Sequence, residues 1–274
     1  MAAENMKPKY VVTKETAKLS VSKGNSKIGK TIYAISTLPG DKDHMLTLTT
    51  GELLTDIPGT CTGHCDECFN HGCYAVNSAK LHHNAVIPSW AANTILLREG
   101  KLFDEVEKYI AAKNAKYIKT GNLDDAQIRI FRINVSGEIR DVSDLENWNQ
   151  LALKHPEINF GVYTKNYEAL EDFMNKNEDT AANFVINVSQ WHGVADKFLE
   201  KYPGKFNVFE YDDSNRKNNT LSEDELTRLA SEAHCPAVSI KGHHATKPDG
   251  TPITCDMCKR CYRKTGKITA VYAH

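Results

Sequence analysis

Eight cysteines, set in two separate groups of four, constrain this chain more than any other feature of its 274 residues. Cys61, Cys65, Cys68 and Cys73 follow the spacing C-x3-C-x2-C-x4-C. Cys255, Cys258 and Cys261 form a C-x2-C-x2-C triple, preceded upstream by Cys235-Pro236. Disulfide scaffolds belong to short secreted chains that lack a sufficient core. A chain this long buries most of its apolar surface without cross-links. The opening MAAENMKPKYVVTK carries no apolar run of the kind a secretory leader needs. No segment approaches the ~20 uninterrupted apolar residues of a spanning helix. A reducing, cytoplasmic setting is therefore expected, with no membrane association, and clustered thiols there bind metal rather than pair.

Composition narrows the partners. Apolar residues make up 41% and charged residues 25%, which excludes disorder, collagen and coiled coil as descriptions of the whole chain. With 34 basic against 35 acidic side chains the net charge is −1, so no bulk field attracts nucleic acid. The Lys-rich stretch 101–119 lacks interleaved aromatic platforms and reads as a solvated face. A small-molecule cofactor and a substrate, with an electron donor if iron is bound, are the expected partners.

The chain divides into an N-terminal arm (1–60), a cysteine loop with a regular core (61–240) and a C-terminal cysteine-rich segment (241–274), within one overall domain. Ile32 to Leu38 reads as a short strand. Residues 76–113 read as helical, with Leu102, Phe103, Val106, Tyr109 and Ile110 on one face. The stretch 113–122 reads as a solvated connection. From residue 128 strands and helices alternate: 128–135, Phe160–Tyr163, Phe184–Val188, Phe206–Tyr211 and Ala237–Ile240 as strands. The intervening helices include two opened by the capping signatures Ser143-x-x-Glu146 and Ser222-x-x-Glu225. This alternation predicts an α/β fold: a parallel sheet forming a full or partial (β/α) barrel, or alternatively a doubly wound open sheet. Either fold works at the C-terminal ends of its strands. Ser136-Gly137-Glu138, Thr164-Lys165 and Ser189-Gln190-Trp191-His192 fall there.

The cysteine loop, with Gly63 and Gly72, is short and polar enough to wrap a cubane [4Fe–4S] cluster or a zinc ion. Three thiolates leave one iron of a cubane open, whereas structural zinc is closed by four ligands. Cys73 can complete such a closed set. In the second group the triple matches the first three ligands of a ferredoxin run, and Cys235 must join it in space. All eight cysteines are thus candidate ligands in two centres, of iron–sulfur or, alternatively, zinc. Plainer readings stand beside these. Glu138 can be a solvated loop carboxylate, Lys165 a surface lysine, and Asn187 and Ser189 can satisfy backbone groups. The pairs His82-His83 and His243-His244 point apart and are not chelating pairs.

Gly24-Asn25-Ser26-Lys27, Cys73-Tyr74-Ala75, RINVSGEI, VYTK, INVS and the closing CPA with CxxCxxC resemble the phage "gene product 88" family, from about residue 18 to the end. That resemblance implies a phage or prophage origin and a bacterial cytoplasm. More distantly, C-x3-C-x2-C followed by a strand ending in Gly-Glu resembles radical S-adenosylmethionine enzymes, which implies a (β/α) barrel and an enzyme. On that resemblance Cys61, Cys65 and Cys68 hold three irons. Ser136, Gly137 and Glu138 hold the methionine ammonium of S-adenosylmethionine, and Asn187 and Ser189 contact its ribose or carboxylate. The second cysteine group then holds an auxiliary cluster. Glu67 stands before Cys68 where that superfamily has an aromatic, while Tyr74 follows Cys73, so Cys61, Cys68 and Cys73 form a rival triple.

Overall fold

The structure, a computed structural model, describes residues 7–24, 28–62, 65–70, 72–120, 127–177, 179–190, 194–212, 235 and 246–272; at Cys65 the description stops at the backbone. Its centre is one seven-stranded sheet. β1 (Ser22–Lys23) runs antiparallel to β2 (Ile32–Ala34). Then β3 (Ile130–Ile133), β4 (Asn159–Thr164), β5 (Phe184–Ser189), β6 (Asn207–Asp212) and β7 (Ile268–Tyr272) follow, each parallel to the one before. The strand order β1 to β7 is also the chain order. A doubly wound sheet reverses its order at a switch point; this one does not, and the doubly wound alternative is excluded. Among the described strands no pairing joins β7 back to β1 or β2, so the sheet is barrel-like in winding without a shown closure.

Eight α-helices are described. α1 (Cys65–Asn70), α2 (Tyr74–Leu81), α3 (His83–Arg98) and α4 (Leu102–Thr120) lie between β2 and β3. α5 (Val142–Lys154), α6 (Tyr167–Lys176) and α7 (Val194–Lys201) are crossovers, and α8 (Cys255–Cys258) precedes β7. Sequential winding with right-handed crossovers lays the crossover helices on one face. That face is the core. Tyr33, Phe131, Ile133, Phe160, Val162, Phe184 and Ile186 pack there against Leu145, Trp148, Leu170, Phe173 and Phe198. Trp148 is its hub, with the rings of Phe103, Phe131 and Phe160 at 5.1, 6.1 and 6.4 Å between centroids.

Three local expectations need correction. The stretch 76–113 is not one helix: breaks at His82 and at Glu99–Lys101 divide it. The Lys-rich segment 113–120 belongs to α4, because Leu102, Val106 and Ile110 anchor that helix in the core and its charged face is solvated. α5 starts two residues earlier than its Ser143-x-x-Glu146 signature suggests, since the Asp141 carboxylate accepts from the amides of Ser143 and Asp144 and is the N-cap. The helix expected from Ser222 and the strand at Ala237–Ile240 lie outside the described residues.

The sheet's other face needs a cover, and the C-terminal cysteine segment supplies it. Tyr262, 2% exposed, packs on Ile32 and Ile130 together with Ile28 and Cys255. Gly161 makes room for it: a Cβ at that position would sit 2.6 Å from the Tyr262 ring. The Asn187 side-chain amide donates to the carbonyls of Val162 (3.1 Å) and Cys261 (3.0 Å). Asn207 donates to the Arg263 carbonyl and accepts from the amides of Thr265 and Gly266. A face that sequence alternation leaves with Asn, Gly and Arg is thereby closed by a segment rich in backbone hydrogen-bonding groups.

Candidate metal centres

The first cysteine group sits over the C-terminal ends of β3 and β4. Its loop is tied down before it begins: the Thr60 amide donates to the Leu38 carbonyl and the Cys61 amide to the Gly40 carbonyl, both at 2.9 Å. Thr60 Oγ1 accepts from the Glu138 amide (2.9 Å) and shares a hydrogen bond with Thr37 Oγ1 (2.8 Å). Gly137, at φ 83°, must be glycine, since a Cβ there would overlap the Thr37 and Thr60 hydroxyls. The Asn166 amide donates to Thr62 Oγ1 and to the carbonyls of Ile139 and Arg140, so the β4 end also clamps this loop.

Within that frame Cys61, Cys68 and Cys73 come within electrostatic reach of one another. This is the rival triple of the sequence reading; the Cys65 side chain, His64 and His71 lie outside the described residues. Cys68 shares a hydrogen bond with Cys73. That bond, helped by the amides of Val76 and Ala75 in the first turn of α2 and by Lys165, lowers the Cys73 thiol. The same bond, with burial, raises Cys68. Lys165 is not a bland surface lysine: its Nζ lies 4.0 Å from Cys68 Sγ. It also lines a cavity of about 490 Å³ beside the loop, with Thr62, Arg140, Asp141, Asn166 and Tyr167.

Glu138 is buried, not a solvated loop carboxylate. Its oxygens accept from the amides of Ile139 (2.8 Å) and Lys165 (2.9 Å), joining the ends of β3 and β4. Burial raises its pKa, and those amides together with the Thr164 side chain oppose the rise. Ser136 Oγ is buried without a hydrogen-bond partner among the described residues. Ser189 gives its carbonyl to the Tyr167 hydroxyl at 2.6 Å. Asn187 stands at the second cysteine group rather than the first.

The second group is built by a tight wrap. Cys255 opens α8 and Cys258 closes it, Lys259 takes the left-handed conformation at φ 57°, and a 3-10 turn over Arg260–Tyr262 presents Cys261. The Asp256 amide donates to the Ile28 carbonyl and its carboxylate accepts from Thr31 Oγ1, pinning the turn to the β2 approach. Cys235 arrives separately, its amide donating to the Ala270 carbonyl of β7 at 2.9 Å. Cys235, Cys255, Cys258 and Cys261 act on one another electrostatically, so all four meet in one neighbourhood. Burial pushes Cys255 up to about 12 and Cys261 up to about 11. The Tyr163 phenol opposes the rise at Cys261.

No three of the described His, Cys, Asp and Glu side chains stand at coordinating geometry. The donor set nevertheless suits a thiophilic metal: three thiols of the first group and four of the second lie within electrostatic reach of one another, and Cys68, Cys73, Cys255, Cys258 and Cys261 form no disulfide. Sequence reasoning missed Arg132, whose guanidinium carbon lies 4.9 Å from the Tyr163 ring centre. The signal was available, since an arginine in the run IFRI shares the Ile130 face of a buried strand.

Among the described residues no helix is long and apolar enough to cross a membrane. No curated protein and no solved structure matches the chain. A family model described as Gene product 88 matches residues 11–264, spanning both cysteine groups and β1 to β6, and the chain belongs to that phage protein family.

Proposed function

We propose that this chain is an iron–sulfur protein with two centres, and that it is an enzyme of the radical S-adenosylmethionine type. The observation that carries the reading is the meeting of Cys61, Cys68 and Cys73 at the C-terminal edge of the parallel sheet, beside Glu138, Lys165 and a small-molecule-sized cavity. That edge is where barrel enzymes place their chemistry. The order of parts supports it too: a first parallel strand, the cysteine loop, then a second strand ending in Ser136-Gly137-Glu138.

When bound, a cubane with one open iron supplies the electron that cleaves the sulfonium of S-adenosylmethionine. The protein's own residues position and shield. The Thr37–Thr60–Glu138 network fixes the loop relative to β3, and the Glu138–Lys165 amide bond fixes β3 relative to β4. Ser136 Oγ is an unused buried hydroxyl able to hydrogen-bond a ligand group. Glu138 has two oxygens already bonded to amides, so a methionine ammonium would use their remaining lone pairs. Lys165 places a positive charge beside Cys68, which favours thiolate. In the second group Cys235, Cys255, Cys258 and Cys261 hold an auxiliary centre.

A second reading has its own observation: four half-buried thiols that act on one another electrostatically also suit structural zinc. Oxygen-free purification followed by iron, sulfide and zinc analysis separates the two. Iron with acid-labile sulfide, and 5′-deoxyadenosine formed with dithionite and S-adenosylmethionine, is the expected result. A colourless protein with about two zinc ions and no sulfide sinks the iron–sulfur reading. Clusters without 5′-deoxyadenosine leave a non-catalytic redox protein.

A further inference from the structure

Arg132 stands where a charge is costly. It lies on β3, on the face away from the helices, opposite Gly161 in the β4 register. Its Nε is buried without a hydrogen-bond partner among the described residues. Among the described residues no carboxylate pairs with it, and its guanidinium lies over the Tyr163 ring at 4.9 Å. Gly161, its register partner, faces the Tyr262 ring and the Cys261 carbonyl, and Ile130 on the same face packs with Tyr262 and Cys255. A buried cation needs an anion. Among the described residues the groups on this face able to supply one are the thiols of the second centre, because four thiolates around a zinc ion or an oxidised cubane leave a net charge of about −2.

We infer that Arg132 is the built-in counter-charge of the C-terminal thiolate centre, with Tyr163 as the hydrogen-bond donor that links the two. Arg132 lies over the Tyr163 ring, its register partner Gly161 abuts the Cys261 carbonyl, and the Asn187 amide holds that same carbonyl. Each of these groups sits on a strand of the sheet, so the outer contacts are positioned before metal arrives. At the first group the cation beside a thiol is the Lys165 ammonium, 4.0 Å from Cys68 Sγ. The inference rests on the proposed reading that the second group binds metal.

The experiment replaces Cys61, Cys68 and Cys73 by Ser, so that metal counted belongs to the second centre. That protein, alone and carrying Arg132→Gln, Arg132→Lys or Tyr163→Phe, is loaded anaerobically with ferrous iron and sulfide, and separately with Zn2+. Release to a chelator is then timed, and the iron form is titrated for its midpoint potential. Arg132→Gln is expected to weaken retention about tenfold to a hundredfold, the usual effect of losing an outer contact to a metal ligand. Arg132→Lys restores most of it, and the potential falls in Arg132→Gln because the reduced, more negative cluster loses its cation. If Arg132→Gln does not fold, Tyr163→Phe decides, since it keeps the ring and removes only the hydrogen bond to sulfur. A loaded parent whose variants release metal at the parent rate with an unchanged potential overturns this inference and leaves the two-centre reading standing. A parent that binds neither metal removes both.

Discussion

The two cysteine groups differ in where the sheet puts them. The first lies over the strand ends, on a loop held by hydroxyls and amides, and its thiols are unequal: Cys73 is lowered and Cys68 raised. The second lies with Tyr262 on the sheet's other face, where burial raises both Cys255 and Cys261. An edge site bordered by a cavity suits a centre that a ligand must reach. A covered site suits a centre that only exchanges electrons or holds structure, and it requires compensation for the charge it encloses. The same element type, a cysteine-rich turn opening a helix, thus serves two roles according to the solvent and charge around it.

The sharpest way to separate the groups is to remove the cover. Tyr262→Ala deletes a ring that is 2% exposed and packed on Gly161, Ile32 and Ile130. Loss of a buried aromatic costs about 3–5 kcal/mol, read as a lowered chemical-denaturation midpoint. Metal at the second group is lost with it, while metal at the first group is retained. Simultaneous loss at both would mean that the two centres are one cooperative unit and would break the distinction.

Glu138→Gln tests the edge. The carboxylate accepts from two amides through separate oxygens, and a carboxamide offers one oxygen and turns an NH2 toward the other amide. The expected cost is about 1–3 kcal/mol. The sign with pH follows from the raised pKa of Glu138. The wild-type carboxyl contributes stability that is fully present below its unfolded pKa and is lost as pH rises through the folded value. The variant has no such titration, so its deficit widens in mild acid. A deficit independent of pH would mean that the carboxyl is not held in a buried, charge-disfavouring site.

The sheet was legible because its signal is local. Runs such as Phe184–Val188 and Phe160–Val162 are apolar on alternate positions, and the helices between them carry one buried stripe. The cap of α5 was misplaced by two residues because Ser143 and Asp141 offer similar side-chain oxygens, and only backbone geometry decides between them. The site was legible as cysteine spacing and as Ser136-Gly137-Glu138 at a strand end. Its wiring was not. Thr60 meeting Glu138, Lys165 meeting Cys68 and Asn187 meeting Cys261 bridge separations of 78, 97 and 74 residues. Such pairs follow from strand register, which periodicity does not supply. Gly137 illustrates the difference: its motif suggested a cofactor contact, and its immediate neighbours are the Thr37 and Thr60 hydroxyls.

Thiol reactivity sharpens the contrast within the edge group. In metal-free, reduced protein, Cys73 should be alkylated by iodoacetamide at a lower pH than Cys68, because the thiolate is the nucleophile. Each pH unit of separation between the two profiles corresponds to about 1.4 kcal/mol. Cys255 and Cys261, both raised, should follow Cys73 as pH increases. Peptide mass analysis across pH gives all four profiles. Coincident profiles for Cys68 and Cys73 would show that the hydrogen bond between them does not bias one thiol over the other.

The smallest expected effect concerns the cavity wall. Tyr167 lines the space beside Lys165, and its hydroxyl donates to the Ser189 carbonyl at 2.6 Å, tying α6 to the end of β5. Tyr167→Phe keeps the ring contact with Phe198, at 6.0 Å between centroids, and removes only that bond. A neutral hydrogen bond contributes about 0.5–1.5 kcal/mol net, so thermal stability should fall by a few degrees at most, with metal content unchanged at both groups. Because Ser189 is a candidate contact for S-adenosylmethionine, binding of that molecule to the iron-loaded protein should weaken by a similar, roughly tenfold or smaller factor. An unchanged affinity together with lowered stability would confine Tyr167 to holding the fold, and would move the ligand away from the β5 end of the edge.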